Sequence, residues 1–448
     1  MSESFDAVVI GMGPGGETVA GRLIEGGKRV AVVERELIGG ECGYWACMPS
    51  KTLLRPPEAR GGADRAAGVD APRLDWEDAV AYRDRIVRNL DDGKQAVAYE
   101  EMGATVIRGS GRIAGPHRVD VDGRELEAEH IVVATGSAAV IPPIDGLDSV
   151  EVWTNREATT LKQVPDRVLM VGGGPVGVEL GQLMARFGAD VTLVQGADRL
   201  LPREDPRVCH LLEAVLQDDG IDVHIGHHLD GVSREDGGAV ARLADGTEVG
   251  TDVVVIAAGR VPNVQDIGLE AVGVEPAKGG LEVDDRCSFG DGLWAVGDVT
   301  GEMLFTHVAT YQGRIVAANI LGGDRHADYR GVPRVVFSDP EVGAVGLTEE
   351  QAGEEGINVA TATVDLAQAI ARPVTYEKEP RGELQLVADR DRGVLVGAWA
   401  VAPIASEWIH VAAQAIRAEI PIATLLDGIA QFPTYNEAYL KGLEKLEL

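Results

Sequence analysis

Apolar runs of about four residues, each closed by glycines or one polar residue and then followed by a stretch of helical period, recur along this chain. Ala7-Val8-Val9-Ile10 leads into Gly11-Met12-Gly13-Pro14-Gly15-Gly16, and Glu17 to Ile24 continues at helical spacing. That order predicts strand, tight turn and helix. Val30 to Val33 predicts the next strand and ends at Glu34, 23 residues beyond Gly11. The unit then repeats. Val168 to Val171 precedes Gly172-Gly173-Gly174-Pro175-Val176-Gly177, and Val191 to Val194 ends at Gln195, again 23 residues past the first glycine. Continuous apolar strands alternating with helices predict an α/β fold with parallel sheets covered on both faces.

The glycine turns have a chemical reading. Between a strand and a helix, Gly11, Gly13 and Gly16 let the backbone and the positive helix end approach a pyrophosphate, and Glu34 is placed to accept from a ribose hydroxyl. Gly172, Gly174 and Gly177 offer a second cradle, so two Rossmann-like units and two bound dinucleotides are expected. In the second unit Gln195 replaces the acid and removes its repulsion of a 2′-phosphate. Arg199 and Arg203 follow closely, while Gly196 brings no side chain. NADPH is the favoured coenzyme on this reading, with NADH use left open.

Length and charge narrow the class. A chain of 448 residues is too long for one ordinary core, and about three domains are expected. The formal charge of −31 argues against nucleic acid and anionic lipid, since a polyanion is repelled. The first strand begins within a few residues and no apolar run reaches membrane-spanning length, so neither a signal peptide nor a membrane span is expected, and the compartment is read as cytoplasmic.

Four cysteines are no disulfide framework in a chain this long. Cys42 and Cys47 stand five residues apart in Gly40-Glu41-Cys42-Gly43-Tyr44-Trp45-Ala46-Cys47-Met48-Pro49-Ser50-Lys51, just after the first cradle. A regular helix would hold their Cα atoms about 7.5 Å apart, beyond the roughly 7 Å a disulfide tolerates. A redox pair therefore requires a distorted turn. A metal-binding pair and two buried thiols are the competing readings. Cys209 and Cys287 are expected to be small buried hydrophobes, and no metal site is expected.

With these motifs in hand, the chain resembles, nearly from end to end, the flavin-dependent pyridine nucleotide-disulfide oxidoreductases, the family of dihydrolipoamide dehydrogenase, glutathione reductase and mercuric reductase. The resemblance rests on both glycine units, the cysteine segment, Ala134-Thr135-Gly136, Ala257-Ala258-Gly259-Arg260 and Gly297-Asp298. It implies FAD on the first unit, NAD(P)H on the second and a C-terminal α+β dimerisation domain. The division would be 1–150 and 266–330 for FAD, 151–265 for NAD(P) and 331–448 for the homodimer contact. It further implies that Gly40, Thr135, Gly136, Gly259 and Arg260 belong to the cofactor sites. Asp298 would meet the ribityl chain, and Gly111 and Thr306 would lie against FAD through their backbones. Cys42 would be the outer, interchange thiol and Cys47 the thiol facing the flavin. Lys51 and Glu179 would pair beside the flavin N5, steadying the charge of its reduced form.

Two departures bear on the acceptor. Arg55-Pro56-Pro57 is expected to interrupt the helix after the cysteines, because proline lacks a donor and clashes with the preceding turn. In Gln431-Phe432-Pro433-Thr434-Tyr435-Asn436-Glu437, many relatives have His where this chain has Phe432, and that His serves as base to the partner's interchange thiol. Mercuric reductases and 2-ketopropyl-coenzyme M carboxylase also depart toward Phe here. Phenylalanine accepts no proton, so help worth about 10²- to 10⁴-fold must come from elsewhere. Glu437 is retained, and Tyr435 and Tyr439 are the other polar candidates. His307 and His410 are read as packing residues, His410 within the core of the C-terminal domain. An N-terminal Cys-x-x-Cys domain and a terminal cysteine pair, both marks of mercuric reductase, are not found in the sequence. The expected acceptor is a small molecule: a disulfide, a thiol-ligated metal ion, a quinone or a thioether-type carbon compound. A redox-sensing flavoprotein with little turnover is the rival from another class.

Overall fold

The computed structural model describes residues 3–235 and 238–448. The chain forms two compact units. The first comprises 1–50, 81–140 and 259–328, and the second 51–80, 141–258 and 329–448.

In the first unit the strand Glu3–Ile10 lies between Val30–Glu34 and Arg124–Val133, pairing in parallel with both. Thr105–Arg108 and Leu293–Ala295 extend the sheet on either side, and Ser288–Gly290 closes one edge. Val30–Glu34 is buried along its whole length, as a strand covered by helices on both faces must be. The helices Pro14–Glu25 and Thr306–Ile320 pack closely because Gly313 meets the backbone of Gly15, where a β-carbon would sit 2.9 Å from the Gly15 carbonyl oxygen.

In the second unit a five-stranded parallel sheet has Arg167–Val171 between Asp190–Gln195 and Val253–Ile256, and a five-stranded antiparallel sheet is built from residues 333–402. Both dinucleotide folds predicted from the apolar runs are thus present, and the second unit also holds an α+β C-terminal region. The two sheets share one core. Val168, Met170, Val191 and Leu193 from the parallel sheet pack in the same cluster as Val336, Val342, Trp399 and Val401. Cys209 and Cys287 are buried among apolar side chains, and burial pushes the Cys209 thiol up to about 11.

Two expectations are corrected. The helix Cys47–Arg65 runs through Pro56 and Pro57 instead of stopping there. Two backbone hydrogen bonds are forgone, but Leu53 and Leu54 sit in the core. At the helix end Arg65 is gripped by Asp339 (3.0 and 2.8 Å) and Glu377 (3.0 Å). Tertiary anchoring thus outweighs a local break. His410 is exposed, with its Nε2 3.0 Å from Gln414 Nε2, because the helix buries Ala412, Ala413, Ala415 and Ile416 instead.

Asp339 is the hub of the second unit's ionic contacts. Its carboxylate also takes Arg186 at 2.7 Å, while its N–H donates to Gln182 at 2.8 Å. Asp339→Ala leaves two partly buried guanidinium groups short of a counter-charge. It is expected to cost about 3 kcal/mol, measured as a lowered midpoint of thermal unfolding; an unchanged midpoint would show that the neighbouring carboxylates replace it fully.

Candidate active site

The first cradle is built by steric necessity. Gly11 has φ 96°, and a β-carbon there would overlap the carbonyl of Ala134; one on Gly16 would overlap the carbonyl of Gly11. Gly13, at the helix N-cap, faces open space, so a ligand phosphate can approach the backbone there. Glu34 holds the turn in place. Its Oε2 accepts the Met12 N–H at 2.7 Å and its Oε1 the Glu36 N–H at 2.7 Å. The second cradle repeats the design: Gly172 at φ 114° lies against Ala257, Gly177 against Gly172, Gly174 faces open space, and Gln195 Oε1 accepts the Gly173 N–H at 3.0 Å. The glycines therefore fit a pyrophosphate in each unit.

Around the first cradle, several predicted residues come together in the same unit. Gly39 donates to the Met12 carbonyl at 2.7 Å, which brings the cysteine segment against the glycine turn. A β-carbon on Gly40 would sit 2.8 Å from Gly13 Cα. The short helix Gly40–Tyr44 ends at Trp45 (φ −133°, ψ −2°), and a new helix begins at Cys47. The required break in regular helix therefore falls between the two cysteines. Both are half-buried, and Cys47 Sγ lies 3.3 Å from Oγ1 of Thr306. Thr306 opens the helix Thr306–Ile320, so the sulfur lies beside the first residue of that helix. The sequence reading gave Thr306 only a backbone role.

Asp298 sits in a bonded set. Ser137 donates to its Oδ2 at 2.6 Å and accepts from Arg260 Nε at 2.7 Å, while Arg260 Nη2 donates to the Ser137 carbonyl at 2.7 Å. Burial holds the Asp298 carboxyl above its ordinary range, opposed by the Ser137 bond and by Arg260 and reinforced by Glu41. Thr135 donates to the Asn263 carbonyl at 2.7 Å, and Gly136 turns at φ 69°. Gly259 turns at φ 122°, and Gly111 begins a strand against Ile10 and Val33. Ser137 was missed by the sequence reading; its place immediately after Gly136 was the only local signal.

In the second unit Lys51 Nζ lies 2.6 Å from Glu179 Oε2, and Glu179 Oε1 accepts the Phe337 N–H at 2.9 Å. The ammonium also stands 4.7 Å from the Phe337 ring centroid. Glu437 accepts the Thr434 N–H at 3.1 Å. Tyr435 stacks on Trp408, and Tyr439 donates to the Trp408 carbonyl at 3.0 Å, both within the C-terminal core. Burial pushes Tyr435 up to about 12, so neither geometry nor acidity marks it as a base. Phe432 is 74% exposed.

Residues 5–313 match the model of the pyridine nucleotide-disulphide oxidoreductase family, and residues 332–442 that of its dimerisation domain. A mercuric reductase of Streptomyces lividans is 37% identical over 450 residues, covering 97% of this chain and 94% of that protein. A dihydrolipoyl dehydrogenase of Halobacterium salinarum is 33% identical, covering 99% and 96%. Among solved structures, the Cu(II) complex of the HOCl-induced flavoprotein disulfide reductase RclA from Escherichia coli is 30% identical with a TM-score of 0.88, covering 98% of this chain and all of that one. No helix among the described residues is long and apolar enough to cross a membrane.

The raised Asp298 carboxyl gives a pH signature. The folded state keeps this proton above the ordinary carboxylate value, so its contribution to stability is full below that value and is lost as pH rises through the folded one. In the cofactor-free protein, Asp298→Asn should remove that loss, raising the unfolding midpoint relative to the parent at neutral pH but not in acid. Equal shifts at both pH values would show that Asp298 does not titrate differently on folding.

Proposed function

Because the chain belongs to the pyridine nucleotide-disulphide oxidoreductases, we propose that it oxidises NADPH and passes the electron pair by way of FAD to a Cys42-Cys47 disulfide, whose S–S bond opens to give the reduced cysteine pair. A thiol-reactive acceptor then takes the pair, a soft metal ion ahead of a small disulfide. FAD, when bound, supplies the step that converts hydride from the nicotinamide into an electron pair deliverable to sulfur. The residues assigned to hold it are Gly11, Gly13, Gly16, Glu34, Gly40, Gly111, Thr135, Gly136, Gly259, Arg260, Asp298 and Thr306. Gly172, Gly174, Gly177 and Gln195 are assigned to the coenzyme. Lys51, fixed by Glu179, is assigned the cation that steadies the reduced flavin. Cys47 is the sulfur that receives the pair first, and Cys42 the one that meets the acceptor.

The observation that carries this reading is Cys47 held against Thr306 at a helix N-terminus, in the same compact unit as the first glycine cradle. The choice of acceptor is supported by Phe432. A disulfide substrate leaves as a thiolate that a nearby acid must protonate, and a phenyl ring can neither give nor take that proton. A soft metal ion is instead bound by the cysteine sulfurs as thiolates, and any thiol proton lost on ligation passes to solvent. The mercuric reductase and the Cu(II) complex among the relatives agree with such an acceptor. A homodimer is also proposed, with the active site shared across the contact. Ile429 is 99% exposed and Leu426 and Phe432 also project, an apolar surface that a second copy would cover.

Anaerobic titration with NADPH tests the first half. A long-wavelength thiolate-to-flavin band at two electrons per flavin is the expected outcome; bleaching without it would reject the cysteine pair as the electron carrier. Cys42→Ser should retain flavin reduction and lose turnover of both Hg²⁺ and small disulfides. Turnover surviving in that variant would place the acceptor at the flavin instead, as in quinone reduction.

A further inference from the structure

The residue that reads the adenosine ribose in the second unit is committed to the fold. Gln195 accepts from Gly173 N–H at 3.0 Å and donates from Nε2 to the Arg199 carbonyl at 3.1 Å. Selection at the 2′ position must therefore draw on neighbours. The strand end at Gln195 carries a loop laid directly on it: the N–H groups of Gly226 and His227 both donate to the Gln195 carbonyl, at 2.8 and 3.1 Å. His228, next along that loop, places its imidazole in the space that a side chain at Gly196 would need. A β-carbon there would overlap ring atoms Cε1 and Nδ1. Gly196 lies immediately after Gln195, where the sequence reading found no side chain to meet a 2′-phosphate.

The neighbouring imidazoles are otherwise occupied. His224 Nε2 lies 2.9 Å from Asp222 Oδ2 and His227 Nδ1 lies 3.4 Å from Asp245 Oδ2. His228 is exposed, and its ring shows no hydrogen bond or ion pair among the described residues. Arg199, two positions past Ala197, has an Nε that is buried without a hydrogen-bond partner, and its Nη1 reaches Asp198 only at 3.8 Å.

We propose that His228 is the specificity residue for the coenzyme, donating from its ring to a 2′-phosphate over Gly196. This rests on the assignment of NADPH to the second unit and supplies the donor that the glycine at 196 withholds. It makes the selectivity device non-local: the group that tells NADPH from NADH comes from the loop after the following strand and not from the segment after Gln195.

The test is calorimetric titration of the FAD-loaded protein with 2′,5′-ADP and with 5′-ADP, which reports binding without turnover. The parent is expected to prefer 2′,5′-ADP, and His228→Ala to lose about tenfold of that preference, the worth of a charge-assisted hydrogen bond, with 5′-ADP affinity unchanged. Gly196→Ser, which displaces the ring, should reproduce the loss. A parent that prefers 2′,5′-ADP beside a His228→Ala variant that prefers it equally overturns the proposal and leaves NADPH standing. Equal loss for both nucleotides would make His228 a base-stacking residue and overturn it too. A parent without preference overturns the NADPH assignment and the proposal together.

Discussion

A side-chain oxygen at the end of the second strand, accepting an N–H from the glycine turn, is the contact on which both dinucleotide folds depend. Where the chain leaves the first strand at positive φ, the next N–H has neither strand nor helix partner, and burying it unpaired would cost about 1–3 kcal/mol. Glu34 supplies the acceptor to Met12, and Gln195 supplies it to Gly173. With that N–H satisfied inward, the turn is fixed and the helix N-cap glycine, Gly13 or Gly174, is left to face open space. The open space beside the helix N-cap is thus a by-product of how the turn settles its own hydrogen bond.

The same contact separates geometry from charge. Glutamate and glutamine bond the turn alike, so a unit can exchange one for the other without losing its fold. What changes is the charge at the strand end, and Gln195 leaves it neutral. Because the loop at 226–228 is bonded to the Gln195 carbonyl, any side chain it carries is held beside the strand end at Gln195 with the accuracy of a sheet.

The elements that were legible in the sequence are those whose physics is local. Four-residue apolar runs between glycines became the parallel strands, and Gly11, Gly16, Gly172 and Gly177 occupy positions where a β-carbon would overlap a carbonyl. Contacts between distant segments were not legible. Ser137 between Arg260 and Asp298, Phe337 N–H on Glu179 and His228 over Gly196 each join residues more than 30 positions apart for at least one partner. The misreading at Pro56-Pro57 has the same origin. The local rule predicts a break, and the anchors that overrule it, buried Leu53 and Leu54 on one side and Asp339 on Arg65 at the other, come from tertiary structure. His410 lies in a stretch of helical spacing and was placed in the core; the register of the buried face is set by Ile409, Ala412 and Ile416, and it leaves position 410 outside.

The break between Cys42 and Cys47 is where fold and chemistry meet most closely. A regular helix through both would hold their Cα atoms about 7.5 Å apart, and the chain instead breaks its helix at Trp45. It also lets the second helix begin at Cys47, whose sulfur meets Thr306 at the start of another helix. The two sulfurs therefore have different surroundings: Cys47 begins one helix and meets the Thr306 hydroxyl, and Cys42 lies on the short preceding helix. The helix break and the Thr306 contact both fall on the cysteine segment, so what distinguishes one sulfur from the other is set within that segment.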